Sequence, residues 1–585
     1  MNQARRLLDE IENIKEKAAS IVGLNKLIAE RFISPMARVV LVTLYNPGAA
    51  GARYVGASLR AAGHDVWLLH FKEFRYREVP SDDMESRQKA KNKVDLMGLR
   101  IRHPGKVIYL PYPNPITQTE QDLFISELKR LKPELIGFSI FTVTAQIAAG
   151  LTERIRCELP GTPVLWGGIH PLLDPEDCIT KADIVCTGEG EDACVELMTR
   201  WEEYKQKGSL DISGLWFRDA KGAITRNPKR PPCEDLDHLP FPVYGEQEIL
   251  VEDSAVSDKY NHKGEVQRVN ILVFTERGCP YQCSYCIHSI LNEDKSYAQI
   301  RRRTVDNVLA ECEILFREHG MRHFIFHDEI FIIQKEWIRE FATKFRDRFF
   351  ARGCTFTGYV HPLTTDADML QWMWEAGLRR TGMGIQSGCP RVAKEVFHRP
   401  FVPEKTIEMS RLLSLYPFEK VQYEVIVGNV FETEAERRET FEFLLQCHPP
   451  FDVEPFDLVR YPTSKLGQMT PPPGVTLDDN EMTFWNMLYF MTGYPEMDRR
   501  ALRELADNAY YRKNAKELER LTTSVVAIYQ EKRRLWNENQ QLRELNAAGA
   551  GAAGAICGGA PNAGRGNGGR GWKPLLKRWL DKVLP

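Results

Sequence analysis

Cys279, Cys283 and Cys286 stand at C-x3-C-x2-C spacing within FTERGCPYQCSYCIHS, residues 274–289, while the other cysteines are scattered along the chain. Thiols placed that close together read as metal ligands before they read as core residues. Structural zinc takes four protein ligands, and His288 is the neighbour that offers a fourth. Zinc ribbons and fingers, however, bring a second ligand pair from farther away, and no such pair follows here. Three thiolates on a loop after a strand suit a four-iron, four-sulfur cluster in which one iron has no protein ligand and is open to a small molecule. The spacing therefore predicts an open cluster, and a non-catalytic protein with zinc on Cys279, Cys283, Cys286 and His288 is the alternative.

The chain that must position this loop has 585 residues, too many for one hydrophobic core, so two or three domains are expected. Apolar residues make up 43% and the formal net charge is −2, a globular composition without the basic excess of a nucleic-acid binder. Thirteen cysteines, an odd number at irregular spacing, argue for reduced thiols over a disulfide framework. Cys157, Cys178, Cys186, Cys194, Cys312, Cys354 and Cys447 sit singly among apolar residues and read as small buried hydrophobes. No run of eighteen apolar residues occurs, and the N-terminal MNQARRLLDEIENIKEKAASIVGL mixes both charge signs into its apolar positions. Neither a membrane span nor a signal peptide is expected, and the expected location is the cytoplasm.

Periodicity divides the chain further. Residues 1–36 have apolar positions at helical spacing and predict a helical extension. From residue 37 to 212, strand-like runs (RVVLVTLYN, HDVWLLHF, ELIGFSIF, TPVLWGG, ADIVCTGEG) alternate with helical stretches, which predicts a parallel, doubly wound sheet. Its ligand site should lie in the loops after the strand C-termini, 46–51, 139–144, 167–171 and 187–191. Residues 213–262 read as a hairpin turning at Asp219 to Gly222 and a Pro-rich linker. A second alternating region covers 263–470, through VNILVFTERGC, RHFIFHDEIFI, CTFTGYVHP, RRTGMGIQSG and KVQYEVIVGN, with FDLVRYPTSKLG closing it. Residues 471–546 are helical by pattern, and their aromatic stretch at Phe484, Trp485, Leu488, Tyr489 and Tyr494 either forms core or lines a pocket for a bulky apolar substrate. A Gly/Ala-rich linker, 547–571, leads to a basic amphipathic helix, 572–585, carrying Trp572 and Trp579. That helix suits a peripheral contact with the inner membrane face, or docking back on its own protein.

CPYQCSYC at the end of the first strand of an α/β unit resembles the signature of the radical S-adenosylmethionine enzymes, whose fold is a partial barrel of βα units. Three further segments resemble that family in order. FIFHDEIF, with Asp328 and Glu329, is similar to its second-strand segment; GMGIQSG is similar to its G-I-E-S-G segment, with Gln386 where Glu is common and Ser387 retained; VIVGNVFETEAE is similar to I-I-G-x-P-G-E-T-E-E, with Val430 and Phe431 in place of Pro-Gly. The resemblance covers residues 268–470. It implies that Cys279, Cys283 and Cys286 hold three irons and that the amino and carboxylate groups of S-adenosylmethionine chelate the fourth. It also places Tyr285 near the adenine, Asp328 and Glu329 beside the methionine moiety, and Gln386 and Ser387 near the ribose.

The preceding doubly wound region resembles the cobalamin-binding domain of a subgroup of these enzymes, through KPELIGFS, VLWGGIHPLLDPED and ADIVCTGEGE. By that resemblance Ser139 and Thr142 meet the nucleotide tail, Gly167 and Gly168 admit the dimethylbenzimidazole, and Gly188, Glu189 and Gly190 line the same crevice. Glycines suit a place where a flat ligand lies against strand ends. The loop after the first strand reads YNPGAAG where methionine-synthase-type domains carry D-x-H-x-x-G, so no histidine there can ligate cobalt from below; His64 reads as structural.

The expected fold is thus α/β, a Rossmann-like cobalamin-binding domain followed by a partial (β/α)6 TIM-like radical SAM barrel and a helical C-terminal region. The resemblance implies a 4Fe-4S cluster, S-adenosylmethionine and cobalamin as cofactors, and an electron donor such as flavodoxin or ferredoxin. The implied reaction is methylation of an unactivated carbon of a small-molecule or lipid-like substrate, through a 5'-deoxyadenosyl radical and methylcobalamin. A ring-forming enzyme of the anaerobic porphyrin-ester cyclase type uses the same two domains and is the other enzymatic reading. No catalytic acid or base is assigned, although Asp328, Glu329, His361 and Glu424 are candidates to face the barrel interior.

Overall fold

The computed structural model describes residues 36–73, 75–80, 99–112, 116–261, 271–293, 295–461, 463–473, 475 and 478–553. The predicted N-terminal extension and the C-terminal basic helix lie outside them. The chain divides into two units, residues 1–74, 113–271 and 313–320 in one and the rest in the other.

In the first unit β1 (Arg38–Leu44), β2 (Asp65–Phe71), β6 (Leu135–Ser139), β7 (Val164–Gly167), β8 (Ile184–Cys186) and β11 (Glu248–Glu252) form a parallel sheet in the order β8-β7-β6-β1-β2-β11. Antiparallel strands extend both edges. The hairpin of β9 (Leu215–Arg218) and β10 (Ile224–Arg226) joins β8, and β12 (Ala255–Ser257) joins β11. The stretch 213–262 is therefore part of this sheet as well as a linker. β1 is buried on both faces because its side chains alternate between two cores. Val40 and Val42 pack with Phe124, Leu128 and Ile155 on one side, and Val39 and Leu41 with Leu59, Leu197 and Met198 on the other. The strand order reverses direction between β1 and β6, so the crevice beyond their C-terminal ends is the topological switch point.

A buried polar network fastens β11 to this sheet. Arg53 donates to both Glu248 oxygens (3.0 and 2.7 Å), His70 Nε2 lies 2.8 Å from Glu248 Oε2, and His70 Nδ1 lies 2.8 Å from the Thr43 hydroxyl. Arg53 also donates to the Pro47 carbonyl, which holds the loop after β1.

The second unit contains the six parallel strands expected of the partial barrel: β13 (Leu272–Val273), β16 (His323–Phe326), β17 (Thr355–Thr357), β18 (Leu378–Gln386), β19 (Lys420–Val427) and β20 (Asp452–Asp457). The last of them is DVEPFD, just upstream of the stretch expected to close the region. Three antiparallel strands then extend the sheet: β4 (Leu99–His103) beside β20, then β5 (Lys106–Tyr112) and β3 (Arg75–Pro80). These strands come from within residues 37–212, so part of that segment joins the second unit's sheet. The short pair β14 (Glu276–Arg277) and β15 (Arg301–Arg302) brackets the cysteine loop.

The helical region is core. Phe484, Trp485, Leu488, Tyr489 and Tyr494 are each at most 4% exposed, so the aromatic stretch builds the packing of helix 479–492 and does not line an open pocket. The last helix, Ala515–Ala553, runs on into the stretch read as a linker from residue 547. Among the described residues no helix is long and apolar enough to cross a membrane.

Burial alone would raise the Glu248 carboxyl, but the Arg53 charge and the bonds from His70 and Arg53 bring it down to about 2. A carboxyl held below its ordinary value stabilises the fold above the ordinary carboxylate range, and that contribution disappears as the pH falls through about 2. Arg53→Ala should cost about 3–5 kcal/mol at neutral pH. The gap in urea midpoint between wild type and variant should shrink as the pH is lowered toward 2; a gap unchanged by acid would show that the pair is not what stabilises the unit.

Candidate functional site

The cysteine loop begins at Gly278, whose φ of +103° and position exclude any other residue: a Cβ there would lie 2.2 Å from the Gln299 carbonyl oxygen. Past that point the backbone is held by side chains. Asn292 Nδ2 donates to the Cys279 and Tyr281 carbonyls (2.6 and 2.8 Å). The Ser284 hydroxyl and amide donate to the Val396 and Phe397 carbonyls (2.6 and 2.9 Å), and the Leu466 amide donates back to the Ser284 carbonyl at 2.9 Å. Cys279 and Cys283 are buried and Cys286 is half-buried.

Burial pushes the Cys279 thiol up to about 12 and the Cys286 thiol up to about 11. Left alone, both would be protonated at neutral pH, and a bound metal is what converts such thiols to thiolates. Arg399 supplies a fixed positive charge beside them. Its Nη1 lies 4.0 Å from Cys283 Sγ and 3.4 Å from the Tyr285 hydroxyl, and its Nη2 donates to the Gly384 carbonyl at 2.6 Å.

His288 is engaged elsewhere: Nε2 lies 3.2 Å from Glu329 Oε1 and Nδ1 lies 3.4 Å from Asn292 Oδ1. Among the described residues no three His, Cys, Asp or Glu side chains converge as a single ion would require. Thiolates of a cluster bind separate irons and need not converge on one point. With His288 held by Glu329 and Asn292, the donors that remain are the three thiols, the set an open cluster uses.

The flanking segments brace the loop. Asp328 accepts from the Thr275 amide and hydroxyl (2.6 and 2.5 Å) and from the Glu276 amide (3.2 Å), so it braces the strand entering the loop. Glu329 holds His288. Ser387 is 1% exposed, and its hydroxyl meets Thr440 and the Cys389 amide. Gln386 ends β18 in the left-handed region, with φ of +65°. Tyr285 lies half-buried, edge-on to Phe397, and Phe431, one of the two departures from the family pattern, packs into the apolar cluster against Tyr285. Arg399 and Asn292 were not singled out in the sequence; a lone Arg in VFHRPF, between apolar residues, was the available signal for the first.

At the first unit's switch point Ser139 pairs in register with Gly167. Gly168 has φ of +97°, and a Cβ there would lie 2.8 Å from the Ile140 nitrogen, so this glycine serves the close approach of two strand ends. Thr142 begins a short helical turn, and Glu189 accepts from the Cys233 amide at 2.8 Å. His170, two residues after Gly168, is 8% exposed with neither ring nitrogen partnered. His64, also buried, has an unpartnered Nδ1, and burial lowers its pKa. With Ser139, Gly167, Gly188 and Gly190 around it, the crevice fits a flat, polar-edged group.

Residues 37–198 match the B12 binding domain family and residues 273–444 the radical SAM superfamily. The chain is 26% identical over 338 residues to an uncharacterized methyltransferase of Pyrococcus horikoshii, covering 55% of this chain and 67% of that protein. It is 26% identical over 337 residues to an anaerobic magnesium-protoporphyrin IX monomethyl ester cyclase of Rubrivivax gelatinosus, covering 56% and 57%. The structure of the cobalamin-dependent S-adenosylmethionine radical enzyme OxsB, with aqua-cobalamin and S-adenosylmethionine bound, aligns over 94% of this chain and 84% of that one, with a TM-score of 0.55 and 14% identity.

Asn292→Ala leaves two buried carbonyls without donors and should cost about 1–3 kcal/mol in thermal or urea unfolding, with less iron retained per chain after reconstitution. His288→Gln should keep its iron; a variant stripped of all metal would return His288 to the ligand set.

Proposed function

The chain is a radical SAM protein with an N-terminal B12-binding domain, and from that premise we propose that it is a methyltransferase acting on carbon. The observation that carries the reading is the cysteine loop: three thiols on a backbone fastened by Asn292 and Ser284, a guanidinium beside them, and the neighbouring histidine taken up by Glu329. When bound, the cofactors supply one-electron cleavage of S-adenosylmethionine and a methyl group carried on cobalt.

The protein's own part is orientation. Cys279, Cys283 and Cys286 would hold the cluster. Gly278 and Asn292 set the loop's path, so the three thiols are placed before metal arrives. Arg399, held by the Gly384 carbonyl, offsets the negative charge of the thiolates. Tyr285, kept in place by Phe397 and Phe431, would present its ring beside S-adenosylmethionine. In the other unit Ser139, Thr142, Gly167, Gly168, Gly188 and Gly190 would receive cobalamin, and the Arg53 clamp on the Pro47 carbonyl fixes the loop after β1, where no histidine is offered to cobalt.

Relatives of both reaction types exist, so products must separate methylation from oxidative ring formation. Anaerobically reconstituted enzyme given cobalamin, reductant and S-adenosylmethionine should form 5'-deoxyadenosine, and the Cys279→Ala, Cys283→Ala, Cys286→Ala triple variant should form none. With substrate, a methyltransferase also yields S-adenosylhomocysteine; sustained turnover without it would favour the cyclase type.

A further inference from the structure

One face of β19 and β20 carries Glu424 and Glu454, with Ile426 and Phe456 farther along it. On β19 Val421, Tyr423, Val425 and Val427 are buried, and Gln422, Glu424 and Ile426 on the alternate face are half-buried. Glu424 stands directly opposite Glu454 of β20 in the parallel register, and Glu454 is 8% exposed. Like charges facing each other across strands are unfavourable unless a positive group lies near. His103, from the added strand β4, places Nε2 3.2 Å from Glu454 Oε1 and its ring against Phe490. Arg399 acts on Glu424 too, but its nitrogens are already committed to the Gly384 carbonyl, Tyr285 and Cys283. Burial, then Glu454, raise the Glu424 pKa above its ordinary value, and a bond from Gln386 opposes this.

Tyr359 and His361 lie on the segment that follows β17. The ladder to β18 continues past β17 through Gly358 and Val360, so Tyr359 and His361, two residues apart on extended chain, share a face. Tyr359 feels both Glu424 and Glu454. His361 is 8% exposed and stacks on Tyr281 of the cysteine loop at 5.0 Å. Its Nδ1 accepts from the Leu363 amide at 3.3 Å, so its proton sits on Nε2, which has no partner. His361 thus offers a buried N–H that no group of the protein accepts, next to the Tyr281 ring.

We propose that this face binds the substrate, and that the substrate is a polar amine or amidine whose cation meets Glu424 and Glu454 against the Tyr359 ring while an acceptor on it takes the His361 Nε2–H. Carboxylates and an aromatic face are the two groups that recognise organic cations. The inference rests on the radical SAM reading for the reaction and adds the substrate class.

The test uses reconstituted holoenzyme with its cluster oxidised and two probes of one shape, benzylamine and benzyl alcohol, followed by saturation-transfer NMR. Benzylamine should bind, the alcohol should bind at least about tenfold more weakly, as expected when a charged hydrogen bond is lost, and the benzylamine signal should fall in Glu424→Gln and Glu454→Gln. Equal binding of the two probes, binding of neither, or a benzylamine signal undiminished in both folded variants would overturn the proposal. Where a variant fails to fold, the comparison of the two probes on wild type decides. Formation of 5'-deoxyadenosine by the same wild-type preparation separates the readings: none at all sinks the radical reading, whereas its formation with no probe preference sinks only the cationic substrate.

Discussion

Three cysteines can receive a cluster only if the backbone between them is held still, and the second unit is organised around that constraint. A loop of this kind has few ladder bonds of its own, so its carbonyls and amides are taken by Asn292, Ser284 and Leu466. Asp328 then fixes the strand that leads in, and Glu329 fixes the helix that leads out by holding His288. The family-like segments around the loop are largely its supports. Asp328 and Ser387, chosen as ligand contacts from their position in the sequence, also hold the protein together, Asp328 at Thr275 and Ser387 at Thr440.

Much of the fold was legible because parallel sheets write themselves as apolar runs separated by helical periods. The strands β1, β2, β6, β7 and β8 and the later β16 to β19 fall where those runs lie. The insertion was not legible. β3, β4 and β5 lie between two strands of one sheet yet pair with another sheet, and nothing in alternation says which sheet a strand joins. RHPGKVIYLPY carries a turn signal at Pro104–Gly105, but the partner of the resulting hairpin, β20, is far away in sequence. Arg399 was missed for a related reason: its contacts, Cys283 and Gly384, come from different strands and loops, and only the folded chain brings them together. The aromatic stretch near Trp485 illustrates the opposite case, where the plain reading as helix core was correct.

The two units divide the chemistry in a way their local physics supports. The first has a crevice at a strand-order reversal, bordered by glycines, over a scaffold tied by the Arg53, Glu248 and His70 network. The second has deep thiols and a strand pair carrying Glu424 and Glu454. Neither site is an apolar pocket. The extra strand β4 matters here, since it brings His103 to Glu454 and makes a segment from the N-terminal part of the chain a contributor to the barrel's interior.

The central claim is that Cys279, Cys283 and Cys286 hold an iron-sulfur cluster with one iron open to S-adenosylmethionine. Electron paramagnetic resonance of the anaerobically reconstituted and reduced protein, recorded with and without S-adenosylmethionine, tests it most directly. The account predicts a cluster signal in wild type that shifts when S-adenosylmethionine is added and is absent from the triple Ala variant. A signal that ignores S-adenosylmethionine, or a colourless protein holding stoichiometric zinc, would contradict it.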